Sequence, residues 1–139
     1  METTNESLFD QSMDRYKAGA PAIELIEDFQ SITASAPNHS AGWTCLAWLQ
    51  LLCEQNEEAL RSAKKAVKLN GQDPQARINL SLALLETKSK GVREHVDFVK
   101  RVIFAMPDYE NELKVSIEDG LQRKPDWAAL KKIRNWLEL

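Results

Sequence analysis

SAGWTCLAWLQLLCEQNEEALRSAKKAVKLNGQD, residues 40 to 73, is the stretch on which the fold turns. Its first half is apolar, with large Trp43 and Leu46 beside small Ala47; its second half is charged, with small Ala59, Ala63 and Ala66 at spacings of four and three. Two helices of that composition interdigitate when folded back on one another, small side chains opposite large. A helix–turn–helix unit of 34 residues is also the signature of a repeat architecture.

The same spacing recurs on both sides. A preceding unit spans about 6–39, with Phe9, Met13, Tyr16, Phe29 and Ile32 at large-residue positions, Gly19-Ala20 at the turn and Pro37 at the end. Ser12 and Leu25 depart from the pattern there. Helices are expected at about 4–18 and 21–35, Pro21 suiting a first helical turn, where its missing N–H costs nothing. A following unit spans 74–107. In it Ile78, Leu80, Leu82, Leu84 and Leu85 make a helix apolar on more than one face, which must be sandwiched between neighbours. Its turn, Thr87 to Gly91, is about two residues longer than the norm for such a repeat, and Val96, Val99, Val102 and Ile103 line its second helix.

The central unit resembles a tetratricopeptide repeat. Of the eight positions that define that pattern, Trp43, Leu46, Ala59 and Ala66 match, Ala47 replaces the usual Gly, and Gln50, Ala63 and Gly71 depart from the usual aromatics and Pro. The resemblance implies an all-α, right-handed helical-hairpin solenoid of about three repeats in a single domain. A stacked array leaves an apolar face at each end that needs a cap. Residues 108–139 are suited to supply it. Leu113, Ile117 and Leu121 recur at intervals of four, and Trp127, Leu130, Ile133, Trp136 and Leu137 form a helical stripe with Asp126 as its expected N-cap. A worn fourth repeat is the alternative for this segment.

Little in the chain points to catalysis, and neither an enzyme activity nor a metal or cofactor is expected. His39 and His95 are the two histidines, one assigned to a solvated loop and one to a surface or half-buried site near a helix start. Ser62-Ala63-Lys64-Lys65 matches a four-residue Ser-x-x-Lys pattern without its companions and is assigned to a solvated helix face. Cys45 and Cys53 lie eight apart on one helix, roughly 12 Å at 1.5 Å per residue, too far to pair; they are expected to be buried as small hydrophobes. METTNES lacks the charge and apolar run of a secretory signal, and no apolar stretch approaches the length of a membrane span, so a cytoplasmic location is expected. The three Asn-x-Ser matches at Asn5, Asn38 and Asn79 are then chance.

Protein binding is the expected function, as an adaptor or assembly factor. The resemblance implies a concave groove lined by the first helix of each repeat. Carried over by position, the groove takes Asp10, Asp14 and Lys17 at an acidic N-terminal end and Thr44, Cys45, Trp48, Leu51, Leu52, Ile78, Asn79, Leu82, Leu85 and Glu86 at an apolar centre. Trp48 is the leading anchor for a partner's amphipathic helix or hydrophobic segment, with Leu51, Leu52, Ile78, Asn79, Leu82 and Leu85 around it. Carboxylate-clamping relatives use several Lys, Arg and Asn residues there, and here only Lys17 and Asn79 are of that kind. Three arrangements fit the apolar centre: a groove open to a partner, one covered by the chain's own C-terminal helix, or one that this helix fills until a partner displaces it.

Charge divides the chain. Residues 1–62 carry 3 basic and 10 acidic side chains, and residues 63–139 carry 15 and 11, so the halves have net charges of −7 and +4. Lys100, Arg101, Lys131, Lys132 and Arg134 are the candidate electrostatic patch. Head-to-tail self-association, or docking on an acidic protein, nucleic acid or anionic surface, is an alternative reading of that patch, as is a structural role within a larger complex. Nucleic acid is disfavoured, because acidic residues interleave the basic ones and no stacking-aromatic motif accompanies them.

Overall fold

The computed structural model describes the backbone of residues 5–139 and the side chains of residues 8–139. Eight helices follow one another with no strand among the described residues: α1 (Asn5–Lys17), α2 (Ala22–Ser35), α3 (Ser40–Leu52), α4 (Asn56–Leu69), α5 (Pro74–Glu86), α6 (Val92–Ala105), α7 (Asp108–Arg123) and α8 (Ala128–Leu137). Each of the first six packs on the next, making three helical hairpins in a row, and α8 turns back onto α5 and α6.

The helix ends carry the repeat in their backbone. α1, α3 and α5 stop at residues in the left-handed region, Gly19 (φ 97°), Glu54 (φ 59°) and Lys88 (φ 56°). In each case the next N–H reaches back five residues: Ala20 to the Arg15 carbonyl at 3.0 Å, Gln55 to that of Gln50 at 2.8 Å and Ser89 to that of Leu84 at 2.8 Å. These bonds satisfy carbonyls the helix can no longer serve. Helices α2, α6 and α7 end at Ala36, Met106 and Lys124, all with ψ between 69° and 78° and all followed by proline. A residue before proline is held out of the helical region by the proline ring. Asn70 takes the same conformation ahead of Gly71. The return helices begin at 22, 56 and 92, so the third hairpin is two residues longer, all of it in Thr87–Gly91.

Packing follows the size pattern. Ala59, Ala63 and Ala66 are fully buried, which lets α4 approach α3 and α5 closely. Helix α5 buries nine of its thirteen residues, as a sandwiched helix must. Its start is fixed by Asp73, whose carboxylate accepts from the Gln75 N–H at 3.0 Å, and by Pro74 in the first turn. Of the positions that depart from the repeat pattern, Ser12, Leu25, Gln50 and Ala63 are also buried, and Gly71 is half-buried. Leu25 (0% exposed) belongs to the core between α1, α2 and α3. Gln50, standing where an aromatic is usual, accepts a 2.7 Å hydrogen bond from Ser62.

That last contact corrects one expectation: Ser62 faces the interior (4% exposed) and not a solvated surface. Two others change in α8. The helix starts after Trp127 and not at Asp126, so Trp127 sits at the N-cap, fully buried, with its indole N–H donating to Glu86 at 2.8 Å. Trp136 is 42% exposed and stands outside the core stripe, which is carried by Leu130, Ile133 and Leu137. Cys45 and Cys53 are free thiols, half-buried and packed against the core between α1, α2 and α3.

Candidate protein-binding groove

The C-terminal helices lie across the concave face. Leu113 and Ile117 of α7 and Leu130, Ile133 and Leu137 of α8 form one core with Trp48, Leu51, Ile78 and Leu82, and Trp127 stacks against Trp48 with ring centroids 5.4 Å apart. Of the arrangements that fit the apolar centre, the open one is not observed there: the centre is covered. Leu51, Ile78 and Leu82 are between 0% and 1% exposed, and Leu52 and Leu85 pack on the edge of the same core. This corrects their assignment as partner contacts in the arrangement observed, because their apolar surface is already taken by α7 and α8. Asn79 is equally buried, its amide joining α5 to α3 by donating to the Thr44 carbonyl at 2.9 Å and accepting from Gln75 at 2.8 Å.

A polar strap holds α7 in that position. The Trp48 indole N–H donates to the Tyr16 hydroxyl at 2.8 Å, and that hydroxyl donates to the Asp119 carboxylate. Four residues on, Arg123 donates to the Tyr16 carbonyl at 2.7 Å and the Ala20 carbonyl at 2.9 Å, lies 3.9 Å over the Tyr16 ring and pairs with Asp119 at 3.5 Å. Burial, reinforced by the hydrogen bond to Asp119, pushes the Tyr16 phenol well above the ordinary tyrosine range and keeps it a donor. Arg123 meets the C-terminal end of α1, where helical carbonyls lack partners and a cation is favoured. Gly120 completes the fit: any Cβ there would lie 2.8 Å from Trp48 and from Leu130.

What α7 leaves open is a groove of about 650 Å³ between its outer face and α1, α3 and α5. The floor is Met13, Phe29, Cys45, Leu49 and the edge of Trp48; the wall is Asn111, Glu112, Val115, Ser116 and Asp119. These wall positions recur at spacings of one and three, which puts them on one face of α7, while Leu113, Ile117 and Gly120 occupy the buried one. Val115 is 58% exposed although its neighbours on the floor are apolar. Cys45 lies 3.7 Å from the Met13 sulfur, and burial pushes its thiol up to about 12, which keeps it protonated on the apolar floor. Lys17 and Gln75 close the ends, and Asp10 and Asp14 stand exposed on the same helix as Lys17.

Two of the seven expected contact residues, Trp48 and Asn79, therefore line the open groove, and the other five do not. The α7 wall is not legible in the sequence, because the apolar period of that helix belongs to the Leu113–Ile117–Leu121 stripe and the complementary positions, 111/112/115/116/119, carry none. Lys100 and Arg101 on α6 and Lys131 and Lys132 on α8 are exposed, and Arg134 is half-buried. They lie on helices that pack together, away from the groove residues.

No family model matches the chain, and no curated protein matches its sequence. By shape it is similar to the type III secretion translocator chaperone SycD of Yersinia enterocolitica, seen in an alternative-dimer crystal structure. The alignment covers 100% of this chain and 98% of that one with a TM-score of 0.68 and 15% sequence identity. At that identity the likeness establishes the fold, an all-helical arrangement of tetratricopeptide-like hairpins. None of the described helices is long and apolar enough to cross a membrane.

Proposed function

We propose that this protein is a non-catalytic protein-binding module, an adaptor or assembly chaperone that holds an apolar segment of another protein in the groove between α1, α3, α5 and α7. The observation that carries the reading is the groove itself, roofless, apolar at its floor and edged by the exposed Val115. A concave site of this size lined by apolar side chains with a few polar groups is the usual form of a recognition pocket. The similarly folded SycD is named a chaperone for a translocator, which agrees in kind. Trp48 remains the principal anchor, offered by its edge. Leu51, Leu52, Ile78, Leu82 and Leu85 hold the covering helices and would reach a partner only if those helices lifted. Basic residues on α6 and α8 steer an acidic partner surface toward the molecule, and the cytoplasm is the proposed site of action.

A photo-crosslinking residue placed at Val115 tests this. In an extract of the native cell it is expected to capture one protein whose crosslinked segment, made as a synthetic peptide, binds the unmodified chain. Val115→Arg should then weaken that peptide about tenfold or more, the scale of losing one buried apolar anchor. Ile23→Arg, an equally exposed site on α2, should leave it unchanged. Equal binding by Val115→Arg and the parent chain would overturn the reading.

A further inference from the structure

Helices α6 and α7 meet at a corner that is apolar and uncovered. Phe104 is 89% exposed and Met106 54%, and with Ala105 and Pro107 they make four consecutive exposed apolar residues. Amphipathicity does not account for them, since α6 already buries Val96 and Val99 and packs Ile103 on the core from its other face. A contiguous apolar run in water marks a surface that something covers.

Beside the Phe104 ring lies a hollow of about 510 Å³ walled by Ile103, Pro107 and Leu137. Its rim carries a cation, Lys100 of α6, and two carboxylates, Glu110 of α7 and Glu138 just beyond α8. A protruding ring, an empty hollow and charges of both signs within one patch are what a self-complementary contact requires. Under a twofold axis each Phe104 would enter the other copy's hollow, and each Lys100 would face the other copy's acidic rim. A different apolar partner would explain the exposed ring, but not the hollow and the mixed rim placed next to it.

We infer that this corner is a homodimer interface, with Phe104 of a second copy as the occupant of the hollow. None of its residues lines the groove between α1 and α7, so pairing leaves that groove open in both copies. Light scattering after size exclusion, across a wide concentration series of the full chain, is expected to find a dimer. Phe104→Glu should raise its dissociation constant about 30-fold or more, as for a central aromatic anchor, with an unchanged far-UV circular dichroism spectrum. Ile23→Glu should not alter it. The twofold geometry has its own test. Lys100→Glu alone and Glu110→Lys/Glu138→Lys alone should each weaken the dimer, while a mixture of the two chains should pair, because both rims are then complementary again. A chain that stays monomeric throughout, a Phe104→Glu variant that dimerises as tightly as the parent, or a mixture that fails to pair would each overturn the inference.

Discussion

Gly120 shows at the scale of one residue how the covered half of the concave face is set. Helix preference alone says that Gly120→Ala should stabilise α7 by about 0.8–1.0 kcal/mol. Its Cβ, however, would stand 2.8 Å from two Trp48 ring carbons and 2.8 Å from a Leu130 methyl, all of them buried. Overpacking of this kind costs about 1–3 kcal/mol, so the net effect is expected to be a loss of stability, read as a lower urea midpoint with the slope unchanged. A raised midpoint would mean that the Trp48 ring has room to move. Sequence gives no hint of this, because Gly120 sits in a polar stretch and its partner lies 72 residues away. Trp48 itself was legible as important, but its role was not: its indole is engaged with Tyr16 and Trp127, and only its edge reaches the groove.

Whole helices were far more legible than single contacts. The 34-residue spacing, the small residues of α4 and the all-round apolarity of α5 give the order of the first six helices, and the two whose ends are expected, at 4–18 and 21–35, lie at 5–17 and 22–35, because each depends on neighbours close in sequence. The longer third turn was legible for the same reason. What failed in α8 was phase: a stripe of period 3.6 includes Trp127 and Trp136 equally, whereas the helix begins one residue after Trp127, which frees that side chain to bury itself. The turns also contain an avoidable cost. Lys88, exposed at φ 56°, holds a conformation that costs a residue with a Cβ about 1–2 kcal/mol, against about 0.5–1 kcal/mol of extra chain entropy for glycine. Lys88→Gly is therefore expected to stabilise the fold by roughly 0.5–1 kcal/mol in urea unfolding; a loss would mean that the lysine side chain itself contributes to the turn.

The whole molecule is a solenoid closed on itself. Hairpin arrays ordinarily contact only their neighbours and can fray from either end. Here Arg123 grips the end of α1 across 103 and 107 residues of chain, and Asp119 does so through Tyr16 across 103. Arg123→Met keeps the aliphatic stem and removes the donors. It is expected to cost about 2 kcal/mol, the loss of charge-assisted hydrogen bonds, and to speed amide exchange in α7 and at the end of α1 while leaving α3 to α5 protected. Uniformly faster exchange would show instead that the strap cannot open apart from the global transition. The same closure has a consequence for synthesis. A ribosome makes the chain from α1 onward, and α1 to α3 can pair as they emerge. Asp119 and Arg123 are made more than 70 residues after Trp48, so Tyr16 and Trp48 wait that long without their final partners. Between the synthesis of α5 and that of α7 the nascent chain therefore shows its apolar concave face bare, and the folded protein shows only the part that α7 does not reach.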